Sequence, residues 1–458
     1  MRLNYEYMLS SIFVVMMLCA AQIIGSNILI LICLFTFLIL IGIACAKNFT
    51  LPLLLFFLPW SQLMRTSQQS FSFYTFGLVL ICFVSILKKR FSFKRYHIVC
   101  GIVLTFLTLL SKVIDGSWIA LDYIAFIMLF FVFPVVKEEY KAKKYDFFDT
   151  ALFFSVGVIL GALCAVWFAD FPNISKYITV HSYLVIKRMC GFYGDPNFYC
   201  AQITAAMGGC LYTISNEKAK YKTALLGICF AVLIYCGLMS GSKSFIIVTF
   251  SMIFVWLVEL FRTSGKGGRK TILIICGILF AVYITSSAIF TGWIEIVLTR
   301  FSFSKNLSDF TTGRTELWLI YIKEIFGKGK ILFLGKGITN VKISNAPPHN
   351  TILQIMFQLG LTGLVVLAGW IFCFFKGTFC NIKRNNNVVG IWSLIVGCFL
   401  PWMAIDILFF DEFFLFQWFL FTALLQNQIY AEQSIRKTDG VNRQKQRIYK
   451  NRIKITWN

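Results

Sequence analysis

Of the 458 residues, 58% are hydrophobic and only 14% are charged, where a soluble domain carries about 25% charged residues. These values exclude a soluble multidomain protein and imply a single polytopic membrane domain over residues 1–430, followed by a basic tail at 431–458. The net charge of +23 could mark a nucleic-acid partner, but the lysines and arginines cluster between apolar runs as membrane topology dictates, so no nucleic acid is expected.

In chain order, apolar runs long enough to cross a hydrocarbon core of ~30 Å fall at about 8–24, 27–46, 49–64, 71–87, 97–112, 118–136, 150–169, 191–214, 223–240, 244–261, 271–290, 351–375, 388–404 and 411–429. The expected fold class is therefore all-α integral membrane, with about 14 (12–14) transmembrane helices. The third and fourth runs are short, and Pro52 and Pro59 in the third suit a kinked or re-entrant segment. Arg2 ahead of the first run has the form of a signal peptide, yet a further dozen spans favour an uncleaved first helix.

Numbered alternately, one set of connections carries most of the cations: Lys88-Lys89-Arg90, Lys137 to Lys144, Lys218 to Lys222, Arg262 to Lys270, Lys376 to Arg384 and the tail from Arg436. This set is assigned to the cytoplasm, with both termini inside. The tail suits the anionic inner leaflet or a disordered state. The opposite set is short and nearly neutral except for two loops, at about 170–190 and 291–350, which the same rule places outside the cytoplasm. The histidines are His97, His181 and His349, and the fifteen cysteines include no Cys-x-x-Cys pair. Neither a metal site nor a cofactor nor a disulfide framework is expected.

Four constellations carry chemistry. Arg188-Met189-Cys190-Gly191-Phe192-Tyr193-Gly194-Asp195-Pro196-Asn197 ends at the mouth of the eighth span. Asp195 and Asn197 flank a proline where a helix begins, as an N-cap does, and the same helix terminus presents free N–H groups to an anionic or hydroxyl-rich ligand. Ser240-Gly241-Ser242-Lys243-Ser244 is a tight turn whose small residues admit a ligand and whose Lys243 either snorkels or meets a lipid diphosphate. Arg300, Arg314 and Trp318 lie in the long loop. An arginine fork fits phosphate oxygens, although a surface ion pair is the plainer use of Arg314. Pro347-Pro348-His349-Asn350 precedes the twelfth span, where a histidine can take a proton from a sugar hydroxyl or serve only as an interfacial side chain. Gly360 and Gly363 are read as sites of close helix packing.

The order and spacing of these segments over roughly residues 185–375 resemble the bacterial O-antigen ligase and O-antigen or capsule polymerase family. The resemblance rests on Gly191 to Asn197, the cation-bearing turn Ser240 to Ser244, Gly313-Arg314 to Trp318, and His349-Asn350. It implies a GT-C-like, metal-independent membrane glycosyltransferase with one large extracytoplasmic loop in the bacterial cytoplasmic membrane. Its substrate would be an undecaprenyl-diphosphate-linked oligosaccharide, with membrane lipid and a chain-length regulator as candidate partners. His349 would be the base and Arg314 would hold the diphosphate. Lys243, Arg300, Arg188, Asp195, Asn197, Asn350 and Trp318 would bind diphosphate or glycan. Lys243 departs from the arginine often found in that turn, and a lysine lacks the planar fork.

Polymerisation of lipid-linked repeat units is the main expectation. A ligase joining the glycan to a lipid A–core or other acceptor would use the same chemistry. A flippase or transporter of lipid-linked oligosaccharide is the rival from another class, but such folds show internal repeats and midplane charge pairs, and neither is evident here.

Overall fold

The computed structural model describes residues 2–66, 72–88, 94–115, 126, 130, 146–178, 180–183, 186–263, 311–337, 343, 346–382, 389–408 and 410–426. Expected spans 118–136 and 271–290, Arg300 and the tail lie outside the described residues, apart from Phe126 and Phe130.

The chain opens with α1 (Arg2–Ile24) and α2 (Asn27–Lys47). Ser26 caps α2 by accepting from Leu29 N, and Asn48 closes it in the left-handed region. Next come α3 (Thr50–Phe57) with a 3-10 turn at Leu58–Trp60, then α4 (Phe73–Leu87) and α5 (Arg95–Asp115). The expected span at 49–64 is thus helical only to Trp60, because Pro59 denies the backbone an N–H and the chain leaves through turns at 61–64.

The helix α6 (Phe147–Trp167) starts on a capping box made by Asp146 and Asp149. A short α7 (Pro172–Ser175) and a hairpin of β1 (Val180–Tyr183) and β2 (Ile186–Met189) follow, pairing His181 with Arg188. This hairpin is a small departure from an all-helical chain. The next helices are α8 (Pro196–Asn216), α9 (Lys220–Met239) and α10 (Lys243–Thr263). The eighth span was expected from residue 191, but Gly191 takes a φ of 59° and Asp195 caps the helix, so 191–195 is loop.

Past the undescribed stretch stand α11 (Arg314–Gly327) and α12 (Gly329–Leu334), then α13 (Thr351–Ile382), α14 (Ile391–Phe399) with a 3-10 turn at Leu400–Met403, and α15 at 411–426. Among the described residues six helices are long and apolar enough to cross a membrane: α1, α2, α6, α9, α10 and α13. Shorter apolar helices accompany them, and the chain is a mostly helical, multi-pass membrane protein.

The helix α13 is not the straight span that its hydropathy suggests. Gly360 has φ 67° and ψ −177°, which breaks the hydrogen-bond ladder. Two freed carbonyls are taken up by the loop, Phe357 O by Lys336 N at 2.8 Å and Gln358 O by Gly337 N at 2.7 Å. Gly335, at φ 73°, lies so close that a Cβ on Gly360 would collide with Phe333 O. Gly360 therefore fastens the loop to the span instead of packing two spans together. Gly363 serves no such contact, since a Cβ there would meet Leu359 of its own helix.

The core lies where α14 packs on α8, α8 on α6 and α9, and α3 on α6. Aromatic pairs fill it, such as Phe147 stacked on Phe419 at 4.9 Å and Phe154 edge-on to Phe419 at 5.4 Å. Lys222 pairs with Asp146 (2.9 Å) and Glu217 (3.3 Å) at one end of the bundle. Gly25, Asp195, Lys243 and His349 mark the other, which also carries α11 and α12.

Candidate active site

At that loop-bearing end a cavity of about 680 Å³ gathers Arg188, Asp195, Asn197, Lys243, Arg314, Trp318 and His349. Seven of the residues singled out in sequence, from four separate segments, share one space of the size ligand sites usually have. Asn350 is not among the lining residues. Its Oδ1 accepts from Ile352 N (3.0 Å) and Leu353 N (3.1 Å), so it is the N-cap of α13. Arg300 lies outside the described residues.

The wall formed by the helix bundle is held by its own hydrogen bonds. Asp195 Oδ1 accepts from Asn197 N (2.6 Å) and from Asn197 Nδ2 (2.7 Å). Asn197 Oδ1 accepts in turn from Ser242 Oγ (2.8 Å) and Ser244 Oγ (3.1 Å), which joins the start of α8 to the α9–α10 turn. Arg188 Nε donates to Ser240 O at 3.0 Å and ties β2 to the same turn. Behind this wall, fully buried Gln202 donates to Glu412 Oε1 at 2.8 Å and bonds the Tyr193 hydroxyl, which itself donates to Leu58 O at 2.9 Å. That chain holds the 191–195 loop from beneath. Intramembrane carboxylates are costly and need such partners.

The wall formed by the loop is different. Gly313, at φ 77°, turns the chain into α11, whose first residues Arg314, Leu317 and Trp318 share one helical face toward the cavity. Trp318 Nε1 donates to Pro348 O at 3.0 Å, and the Tyr321 hydroxyl donates to Ala346 O at 2.8 Å, so α11 carries the 346–349 segment on its side. Arg314 is partly buried; its backbone N donates to Thr311 O at 3.3 Å, while its guanidinium makes no hydrogen bond or ion pair with any described residue. Burial pulls its pKa below the ordinary arginine value, with nearby Asp195 opposing. Thr312 (φ 58°) and His349 (φ 46°) both line the cavity in the left-handed region, a costly backbone state that tends to gather at functional sites.

Asp406 is the residue that sequence reading did not connect. Its Oδ1 stands 3.4 Å from His349 Nδ1, an ion-pair distance at which no hydrogen bond has formed. The approach is built by a strap: Thr351 Oγ1 donates to Ile405 O (2.8 Å) and Leu408 N donates to Gln354 Oε1 (3.0 Å). These bonds lay 405–408 against the first turn of α13 and so set Asp406 beside the histidine. The only sequence signal was a single acid, Asp406, in the otherwise apolar connection between two apolar runs.

Among the described residues the cavity is lined by three cations, Arg188, Lys243 and Arg314, and one carboxylate, Asp195. Ile247, Val248, Leu400 and Met403 give it an apolar side. Chemically it can hold an anion beside an apolar chain and offer a histidine as proton acceptor. Among the described residues there is no group of three or more His, Cys, Asp or Glu side chains able to hold a metal. No known family, curated protein or solved structure matches the chain.

Proposed function

We propose that the protein is an extracytoplasmic membrane glycosyltransferase that polymerises polyprenyl-diphosphate-linked oligosaccharide units into a surface polysaccharide. The observation that carries this reading is the convergence of Arg188, Lys243, Arg314 and His349 on one cavity with an apolar side. Ile247 both lines the cavity and is 41% exposed on the flank of α10, which suits a substrate whose lipid tail stays in the bilayer.

In this mechanism the hydroxyl of the acceptor sugar attacks the anomeric carbon of the donor from the face opposite the diphosphate. The carbon–oxygen bond to the diphosphate breaks, the diphosphate leaves with the electron pair, and the anomeric configuration inverts. Arg314, with Arg188 and Lys243, meets the charge that develops on the leaving oxygens. His349 accepts the hydroxyl proton on Nε2, because Nδ1 is turned to Asp406. Asp406 acts as a positioning residue, orienting the ring and favouring the imidazolium as it forms.

The test is the lipid-linked pool of cells carrying His349→Ala. Single repeat units on the lipid carrier, with polymer absent and the protein present in the membrane, are expected. Long lipid-linked polymer that is never transferred would identify a ligase, and unaltered polymer would remove the base assignment. EDTA is expected to leave wild-type activity unchanged, and loss on chelation would replace the metal-free mechanism.

A further inference from the structure

The pair α11–α12 has two apolar faces where folding needs one. Tyr321, Ile325 and Ile331 are buried with Phe357 of α13. On the other side Leu319, Phe326 and Phe333 are 57%, 61% and 55% exposed, with Ile322 beside them. Positions 319, 322 and 326 fall on one face at the helical period. Lys323 is exposed among them, and Lys328 and Lys330 follow at the α11–α12 junction.

The height of this face can be read from α13. No charge interrupts that helix between Thr351 and Lys376, and its straight part from Gly360 to Lys376 spans about 24 Å at ~1.5 Å per residue, with Phe357 just beyond the break. A hydrocarbon core is ~30 Å thick. The Phe357 cluster thus lies where hydrocarbon gives way to headgroups, and the bonds from Lys336 N and Gly337 N fix α12 at that level. A convex apolar face at this height, set with lysines, has the composition of a helix lying in the interface, its apolar side among acyl chains and its cations near lipid phosphates.

We propose that α11 and α12 form an interfacial membrane anchor, with the Leu319, Ile322, Phe326 and Phe333 face immersed in the leaflet at the cavity end. Because Arg314 and Trp318 open α11 on its cavity side, the anchor sets the height of these two residues relative to the headgroups. This inference rests on the packing and the span length and does not depend on the polymerase reading.

The test is lipid labelling of the purified full-length protein in nanodiscs that contain a phospholipid with a diazirine on its acyl chain. After photolysis, adducts are expected on the peptides bearing Phe326 and Phe333, alongside adducts on the exposed flank of α2 at Ile28 and Phe35. In Phe326→Glu/Phe333→Glu the loop adducts should fall to background while α2 labelling persists, which also reports that the bundle is intact. Labelled α2 with an unlabelled wild-type 314–334 segment would overturn the proposal. So would protection of that segment from lipid by a co-purifying protein cross-linked to it, which would make the face a protein interface. Activity is not read, so failure here is distinct from failure of the glycosyltransferase assignment.

Discussion

On the bundle wall of the cavity, Asn197 has its oxygen taken by Ser242 and Ser244 and its amide by Asp195. On the loop wall, the Arg314 guanidinium has no hydrogen bond or ion pair with any described residue, and His349 meets Asp406 without a formed hydrogen bond. An unmade hydrogen bond on a buried polar group costs about 1–3 kcal/mol, more on a charge. His349 Nδ1 is such an atom, so the loop wall carries a stability cost that the bundle wall avoids. Satisfied groups give the site its shape, and unsatisfied ones its chemistry. Substitutions on the two walls should then separate stability from activity.

The largest loss is expected at His349. A positioned general base contributes typically 10²–10⁴-fold, so His349→Ala should lower transfer by that range while the melting temperature in detergent stays near the wild-type value. If melting falls as steeply as activity, His349 belongs with the structural wall and the comparison fails. Next comes Arg314→Lys. It keeps the charge and loses the fork, so about 10–100-fold lower turnover is expected with little change in melting.

Asp406→Asn sharpens the comparison within the loop wall. A residue that acts through His349 should lower kcat about 10-fold or more and leave KM near its wild-type value, since it favours the imidazolium formed during the reaction. Equal loss in Asp406→Asn and Asp406→Glu, together with a lower melting temperature, would assign Asp406 to the strap at 405–408 instead.

The helices that position these walls were legible in sequence where one rule acts alone. The C-terminal end of α1 and both ends of α2 fall within a residue of the apolar runs at 8–24 and 27–46. The kink at Gly360 was not legible, because apolar residues continue on both sides and the cause is a loop backbone more than twenty residues earlier in the chain. Arg314, Lys243, Asp195 and His349 were found as charged or titratable residues at the ends of apolar runs. Asn350 was picked out by the same signal, and its oxygen caps α13, since a polar residue at a helix start is as often a cap as a ligand. Asp406 escaped notice because its link to His349 runs through Thr351 and Ile405, a tertiary contact that no local pattern encodes.

On the bundle wall the expected effect shifts from activity to stability. Asn197→Ala would leave the Ser242 and Ser244 hydroxyls without their shared acceptor, at a cost of about 1–3 kcal/mol. Arg314→Ala would instead remove a partly buried cation whose guanidinium makes no hydrogen bond or ion pair with a described residue, so its melting temperature should equal or exceed that of wild type while transfer is lost. Thermal unfolding of both variants in the same detergent reads the contrast directly. A lower melting temperature for Arg314→Ala than for Asn197→Ala would reverse the roles given to the two walls.

The smallest effect is expected at Lys243, which stands between the walls. It is the first residue of α10, it follows the hydroxyl-bearing turn, and it lines the cavity opposite Arg314. A lysine there meets a phosphate as a point charge, so Lys243→Arg retains the charge and adds a planar fork on a stem of similar length. Transfer should stay within about 3-fold of wild type, and the KM for the lipid-linked donor should hold or fall, because bidentate contact strengthens binding to phosphate oxygens. Lys243→Met removes the charge with much the same length, and should raise that KM. If Lys243→Met transfers with wild-type KM, Lys243 only snorkels toward the headgroups, and Arg188 and Arg314 are left as the cations that meet the diphosphate.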